Sequence, residues 1–206
     1  NGVRRVWVAK DGLASTPAVS ALIREGGPKW KQVFGAFILT ASHNPGGPNE
    51  CFGIKYNCEN GGPAPEKLTN AIYKNTTTIT QIKMCEGCPD VDPSVLGETV
   101  IEARDGSRRV SVEVVDGVAA HVDLLRTVFD LGAIKALLDR PDFSICFDAM
   151  HGVTGPYAKA LFCDVLGQPA SCLINAVPKD DFGGHHADPN LTYAVDLTKK
   201  MGVDRL

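Results

Sequence analysis

Three side chains able to carry chemistry lie close together in the sequence: Ser42, His43 and Lys55. Serine offers a hydroxyl nucleophile or a phosphate carrier, histidine moves protons near neutral pH, and lysine supplies a compact positive charge. The stretch 39–57, LTASHNPGGPNECFGIKYN, begins where an apolar run ends and is rich in turn-forming residues. It predicts either an ordinary turn or a rigid loop that presents Ser42 to a ligand.

A hydrolytic role for Ser42 fits the sequence poorly. The G-x-S-x-G pattern of a nucleophile elbow is absent, as are the P-loop and dinucleotide-binding patterns. Neighbouring side chains diverge, so His43 is better placed for a substrate lying against the loop than for Ser42 itself. A phosphorylated Ser42, with about two negative charges, suits Lys55 and the close backbone approach that Gly46 and Gly47 allow.

The elements before this loop predict how it is positioned. A strand at 6–8 is followed by a helix, with Thr16 as N-cap and Pro17 at the first helical position. The helix is expected to end at 26–28, and a nearly continuous apolar strand covers 35–39, as expected for a strand covered on both faces. This order predicts a βαβ unit whose second strand delivers the loop at its carboxyl end, where open α/β sheets bind ligands.

The remaining pattern predicts a second α/β unit beyond a boundary near residue 114. The stretch 75–109 is expected to be irregular, with at most short strands. Hydrophobic periodicity and turn signals predict strands at 52–56, 110–114, 143–147 and 173–177, and helices at 65–73, 118–129, 131–138, 155–166 and 192–200.

Composition limits the function classes. The 206 residues are 44% hydrophobic and carry a net charge of -3, which argues against a nucleic-acid binder. No apolar run reaches the length of a membrane span. The chain begins with neither Met nor a signal peptide, so we expect it to begin inside a longer protein. Seven cysteines, several within apolar runs, predict free thiols in a reducing compartment; Cys85 and Cys88 are interpreted as loop thiols or a weak zinc motif.

Two histidine-containing regions have competing interpretations. His151 follows an apolar run and is either a hydrogen-bonded structural residue or a catalyst. A dense polar cluster is either a transition-metal site or a loop that satisfies its own backbone; its members are Asp180, Asp181, His185, His186 and Asp188.

Several motifs resemble the phosphoglucomutases of the α-D-phosphohexomutase superfamily. Around the serine these are TASHNPGGP at 40–48, FGIKYN at 52–57 and NGGPAP at 60–65. STPA at 15–18, DAMHGV at 148–153, DFGGHH at 181–186 and DPNLTYA at 188–194 also resemble the family. The resemblance covers essentially the whole chain and is weakest over 75–109. Glu50 and Cys51 stand where the family usually has Gly-Asp or similar.

The resemblance implies an α/β fold of phosphoglucomutase-type three-layer α/β/α domains with mixed, mostly parallel sheets. Residues 1–114 are then expected to be a partial domain 1 with the catalytic serine loop. Residues 115–206 are expected to be a partial domain 2 that ends before the family's metal-binding loop. The polar cluster at 180–188 is accordingly expected not to be the metal site.

The resemblance also implies the activity: an isomerase, acting as an intramolecular phosphotransferase, that interconverts glucose 1-phosphate and glucose 6-phosphate through glucose 1,6-bisphosphate. Ser42 is then the catalytic phosphoserine, with His43 and Lys55 in acid–base, charge-stabilising and substrate-binding roles. Mg²⁺ binds a phosphate oxygen on Ser42, and its aspartate ligands lie outside this chain. The parent is expected to be a cytoplasmic monomer that binds no nucleic acid, and residues 1–206 alone are expected to be inactive.

Two alternatives stay open at this point. One is a non-enzymatic, parafusin-type interaction protein that keeps the fold. The other is a related phosphohexomutase with a different sugar specificity.

Overall fold

The structure, a computed structural model, describes residues 2–25, 33–84, 87–102, 106, 108–190, 192 and 194–202. Helices and mixed sheets confirm the predicted α/β class. No helix in these ranges is both long enough and apolar enough to cross a bilayer. In chain order the elements are β1 (Arg5–Ala9), α1 (Thr16–Glu25), β2 (Gly35–Leu39), β3 (Ile54–Cys58), α2 (Glu66–Thr76), β4 (Gly97–Glu102), β5 (Arg109–Val115), α3 (Gly117–Val128), α4 (Leu131–Leu138), β6 (Phe147–Asp148), α5 (Thr154–Ala158), β7 (Leu173–Ile174) and α6 (Val195–Lys200).

The chain forms two compact units that interleave along the sequence. The first comprises residues 1–36 and 56–117, and the second comprises 37–55 and 118–206. The loop that carries Ser42 therefore belongs to the second unit. The division into family domains at residue 114 stays a prediction.

The first unit contains a three-stranded mixed sheet in the order β1-β5-β4. β1 runs parallel to β5, and β4 runs antiparallel to it over six residue pairs. β5 buries Val114 and Ser111, and the Ser111 hydroxyl donates to the Glu98 carboxylate across the β4–β5 pair. β4 is longer than expected for the stretch 75–109, because a neighbouring strand pairs with its whole length.

Helix α1 begins one residue differently from the prediction. Ser15, not Thr16, caps it: the buried Ser15 Oγ accepts a hydrogen bond of 3.3 Å from the Ala18 N–H. Thr16 is already the first helical residue. The helix buries Ala18, Ala21 and Ile23. Its last described residue is Glu25, and the predicted stop at 26–28 lies outside the described residues.

β2 and β3 form a two-stranded sheet that frames the serine loop. In the described pairings β1 joins β5 and β2 joins β3. β1 and β2 are therefore not neighbouring strands, and the prediction that they form a βαβ unit with α1 is wrong. The covering of β2 is also one-sided: Ile38 is 6% exposed, whereas Phe37 and Leu39 are 65% and 66% exposed. This alternation is the period of two expected when only one face of a strand is buried.

The second unit contains a βαβ unit, built where the sequence predicts strands at 143–147 and 173–177 and a helix at 155–166. β6 and β7 are parallel and are joined by α5 and a π-helix over Lys159–Val165. Both strands are shorter than predicted. At 143 the chain is still in a turn, with the Phe143 N–H donating to the Arg140 carbonyl, and Asn175 ends β7 with a φ of 50°. Leu166, which is 1% exposed, anchors the end of the helical segment.

Among the other helices, α4 has the predicted bounds, and the Asp130 carboxylate caps it by accepting from the Ala133 N–H. α2, α3 and α6 differ from prediction only at their ends, although residues 191 and 193 lie outside the description.

The free-thiol prediction is confirmed at five cysteines and wrong at Cys88, which is disulfide-bonded. Cys85 lies outside the described residues. The free cysteines are Cys51, Cys58, Cys146, Cys163 and Cys172.

Candidate active site around Ser42

The loop between β2 and β3 holds Ser42 in a left-handed backbone conformation, with φ at 61°. This region costs an L-residue about 1–2 kcal/mol, so neighbouring contacts must hold it. The Ser42 N–H donates to Thr40 Oγ1 at 3.0 Å, and the Asn44 N–H donates to the Ala41 carbonyl at 3.2 Å. A strained serine fixed by its neighbours is the kind of outlier that motivates a functional hypothesis.

Lys55, on β3, lies against this serine. Its Nζ donates a hydrogen bond of 3.2 Å to Ser42 Oγ. The strand ends are joined by a hydrogen bond of 2.9 Å from the Thr40 N–H to the Gly53 carbonyl. A Cβ at Gly53 would come closer than 3.0 Å to the Thr40 carbonyl oxygen, so only glycine fits there. Two of the predicted site residues are thus brought together by strand pairing.

His43, the third predicted residue, contributes its backbone to the loop and leaves its ring exposed. Its carbonyl accepts a hydrogen bond of 3.2 Å from the Ala187 N–H. Within the part of the chain that the structure describes, the ring has no hydrogen-bond partner. The imidazole is therefore available to a ligand that lies against the loop.

Gly46 contacts the backbone around Asp180. Its N–H donates to the Asp180 carbonyl at 3.2 Å, and a Cβ there would lie 3.3 Å from the same oxygen. The Gly46 N–H is thus engaged by a backbone carbonyl, and the close approach of the loop backbone to a phosphate on Ser42 stays a prediction. Because Gly46 has no side chain, the loop backbone can lie close to the Asp180 carbonyl, in another segment of the second unit.

The unusual Cys51 lies in contact with the same loop. Its Sγ accepts a weak hydrogen bond of 3.7 Å from Asn44 Nδ2. The side chain at this position therefore bears directly on the turn that follows Ser42.

The polar cluster at 180–188 satisfies its own backbone. Asp181 Oδ1 accepts from the Gly183 N–H at 2.8 Å, and Asp188 Oδ1 accepts from the Asn190 N–H at 3.2 Å. In the described ranges no three His, Cys, Asp or Glu side chains come together as a metal site. The geometry favours the polar-loop interpretation.

His151 is a hydrogen-bonding hub at the carboxyl end of β6. Its N–H donates to the Asn175 carbonyl, its carbonyl accepts from the Lys179 N–H, and its Nδ1 contacts the Val177 carbonyl, each at 2.9 Å. These contacts favour its structural interpretation. His151 also lines a cavity of about 410 Å³ within the second unit, together with Phe182, His185 and His186.

Sequence reasoning missed three contributors to the loop: Thr40, Asp180 and Ala187. Thr40 lies inside the quoted motif, where its side-chain acceptor offers a recognisable local cap. Asp180 and Ala187 act only through backbone groups, so no residue type at those positions reveals their role.

Comparison with known protein families supports a common origin for this loop and its surroundings. A family model described as phosphoglucomutase/phosphomannomutase, alpha/beta/alpha domain I, matches residues 1–83. The cytoplasmic phosphoglucomutase of Solanum tuberosum is 55% identical over 206 residues, which are 100% of this chain and 35% of that protein. A probable cytoplasmic phosphoglucomutase of Arabidopsis thaliana shows the same identity and coverage. The chain thus spans about a third of the length of these relatives.

Two solved structures extend the comparison. The open form of the exocytosis-sensitive phosphoprotein parafusin, a phosphoglucomutase from Paramecium, has a TM-score of 0.85 and 43% identity. That match covers 95% of this chain and 35% of that one. A putative phosphomannomutase from Thermus thermophilus has a TM-score of 0.66 at 23% identity, covering 99% of this chain and 38% of that one, and shows the fold alone.

Proposed function

Because the chain belongs to the phosphoglucomutase/phosphomannomutase family, we propose that it carries the phosphoserine half of a phosphoglucomutase active site. The reaction is the interconversion of glucose 1-phosphate and glucose 6-phosphate through glucose 1,6-bisphosphate, with Ser42 as the phosphoryl carrier. The observation that carries the proposal is the hydrogen bond of 3.2 Å from Lys55 Nζ to Ser42 Oγ, on a loop where Ser42 is held at a φ of 61°.

In the forward direction phosphorylated Ser42 gives its phosphoryl group to the free 6-hydroxyl of glucose 1-phosphate. The Oγ–phosphorus bond breaks, a bond from the sugar oxygen to phosphorus forms, and the hydroxyl proton leaves to a base. The bisphosphate then turns around and its 1-phosphoryl group is transferred to Ser42 Oγ. The bond from the C1 oxygen to phosphorus breaks, the Oγ–phosphorus bond re-forms, the serine proton is given up, the C1 oxygen takes up a proton, and glucose 6-phosphate is released. In such transfers the protein mainly positions the reactants and neutralises charge.

Lys55 is suited to the charge that develops on Ser42 Oγ as the phosphoryl group departs. An ammonium already aimed at this oxygen needs little rearrangement when the negative charge appears. His43, whose exposed ring is available to a ligand, is proposed as the acid–base group that exchanges the proton with the sugar hydroxyl. Both residues are also proposed to contact the substrate.

Mg²⁺ is proposed as the cofactor, with a phosphate oxygen on Ser42 as the ligand that this chain supplies. When bound, the ion neutralises charge on the phosphoryl group. The described residues do not complete its shell, because Mg²⁺ takes oxygen ligands in a near-octahedral arrangement and no three-residue acidic or histidine group forms among them.

The names of relatives support the wider assignment. Several are cytoplasmic phosphoglucomutases, which supports a cytoplasmic location and hexose phosphates as substrates. The parafusin-type alternative does not compete with the enzyme, since the Paramecium parafusin is itself described as a phosphoglucomutase. Glucose specificity, as opposed to another hexose, rests on these relatives alone.

The test is a chimera in which residues 1–206 replace the matching part of the potato enzyme. After exposure to glucose 1,6-bisphosphate, peptide mass spectrometry should find phosphate on Ser42. The Ser42→Ala chimera should lose both the phosphate and the conversion of glucose 1-phosphate. Ser94→Ala is the matched control, since Ser94 is also an exposed loop serine, and it should leave both unchanged.

Label on another serine with Ser42 unmodified would refute the assignment. Residues 1–206 alone should show no turnover with Mg²⁺ and bisphosphate, although Ser42 is present. Turnover of the isolated chain near that of the chimera, abolished by Ser42→Ala, would show that the described site is sufficient and that the metal needs no ligands from outside residues 1–206.

A further inference from the structure

The segment 179–188 contacts the serine loop at two backbone points. The Ala187 N–H donates to the His43 carbonyl and the Gly46 N–H donates to the Asp180 carbonyl, each at 3.2 Å. The two contacts lie on either side of Asn44 and Pro45. Both contacts lie within the second unit. They hold the tip of the loop, whereas the β2–β3 pairing holds its two ends.

The segment has the means to hold its own shape. The Lys179 N–H donates to the His151 carbonyl at 2.9 Å, which ties its start to the end of β6. Phe182, Gly183 and Gly184 then take φ values of 53°, 74° and 84°. The Asp181 carboxylate closes this left-handed turn by accepting the Gly183 N–H at 2.8 Å.

We propose that the segment 179–188 is a positioning element for Ser42 and that Asp181 is its key positioning residue. Asp181 closes the turn that aims the Asp180 carbonyl at Gly46 and delivers the Ala187 N–H to His43. The two hydrogen bonds fix the loop on both sides of its tip, and this orientation keeps Ser42 Oγ within reach of Lys55. The catalytic consequence rests on the proposed function, whereas the conformational one does not.

Amide hydrogen exchange on the chain of 206 residues tests the conformational part without substrate. One hydrogen bond is worth about tenfold in an equilibrium, so Asp181→Ala should speed exchange at the Gly46 and Ala187 amides by about tenfold. Asp181→Asn keeps an acceptor oxygen and should restore slow exchange. Asp92→Ala is the matched control, because Asp92 accepts the Ser94 N–H at 2.9 Å in an equivalent exposed turn of the first unit.

Equal exchange in Asp181→Ala and Asp92→Ala would overturn the proposal. If Asp181→Ala fails to fold, Gly46→Ala replaces it, since the added Cβ lies 3.3 Å from the Asp180 carbonyl and presses the segments apart. That variant should speed exchange at Ala187, and unchanged exchange there would equally overturn the idea.

The chimera tests the catalytic part. Asp181→Ala should lower kcat by about tenfold or more with little change in KM, because a misplaced nucleophile slows transfer more than it weakens binding. Asp181→Asn should recover most of the rate. Faster exchange with an unchanged kcat would refute the catalytic role. Faster exchange in a chimera whose Ser42 is never phosphorylated would instead refute the proposed function and leave the positioning element standing.

Discussion

Replacing Gly53 with alanine should damage the site while keeping every proposed catalytic side chain. Gly53 has an ordinary backbone conformation, so alanine meets no φ penalty there. The obstacle is steric: the new Cβ would come closer than 3.0 Å to the Thr40 carbonyl oxygen, a backbone atom that cannot rotate away. Thr40 is two residues before Ser42, and its Oγ1 holds the Ser42 N–H.

The magnitude has two parts. Overpacking of this kind costs roughly 1–3 kcal/mol, and separating the strands loses the hydrogen bond from Thr40 to Gly53, worth about 0.5–1.5 kcal/mol. If the strands separate, the chain loses roughly 1.5–4.5 kcal/mol of unfolding free energy by this sum. If the loop moves instead, a displacement near 1 Å at Ser42 lowers phosphoryl transfer by about 10²-fold.

Two assays separate these outcomes. Urea unfolding of residues 1–206 measures the stability loss, and kcat of the chimera with the potato enzyme measures the displacement. Gly132→Ala is the control, since its Cβ would meet only the Asp130 side chain at 3.2 Å inside α4. That change should alter stability by less than about 1 kcal/mol. Normal stability together with normal kcat in Gly53→Ala would refute the reasoning.

Further outcomes are expected from single changes. In the chimera, Lys55→Ala and His43→Ala should each lower kcat by about 10²–10⁴-fold, with unfolding midpoints near that of the wild type. If either variant has normal turnover, the substituted residue has no role in the mechanism. Gly155→Ala should prevent folding of the second unit, because its Cβ would overlap the Ala176 carbonyl; a native circular dichroism spectrum and melting curve would contradict this. Burial lowers the pKa of His121, and its Nδ1 has no partner among the described residues. The folded state thus binds fewer protons, so unfolding free energy should fall as pH drops below about 6.5. Urea titrations at about pH 5 and about pH 7.5 should show less of this loss in His121→Leu, and an equal loss would exclude His121 as the cause.

Local signals predict where the helices lie, although not always where each one ends. α4 has an apolar period and an Asp130 cap, both readable from a few neighbouring residues, and its bounds agree with prediction. The cap of α1 is displaced by one residue from its predicted place, because serine and threonine side by side offer the same acceptor and only packing chooses between them.

Strand neighbours are less predictable, because pairing depends on distant parts of the chain. The order of β1, α1 and β2 suggests adjacent strands, yet β1 pairs with β5. β4 lies in a stretch whose sequence gives little strand signal, and it forms a six-residue strand because β5 pairs with its whole length. Ser42 and Lys55 come together as expected, since a loop between two paired strands limits how far apart they can lie.

Backbone strain gives a reason to connect the serine loop with the ends of β6 and β7. Only six non-glycine residues in the described ranges have positive φ, and five of them lie in the second unit. Hydrogen bonds join their segments in one path, from His151 through Lys179 to the segment 179–188 and on to the serine loop. Strained residues persist where surrounding contacts over-determine them, and departures from local rules concentrate at functional sites. The path therefore marks the part of the second unit whose geometry is most constrained. Its non-glycine residues with positive φ are Ser42, Met150, His151, Asn175 and Phe182.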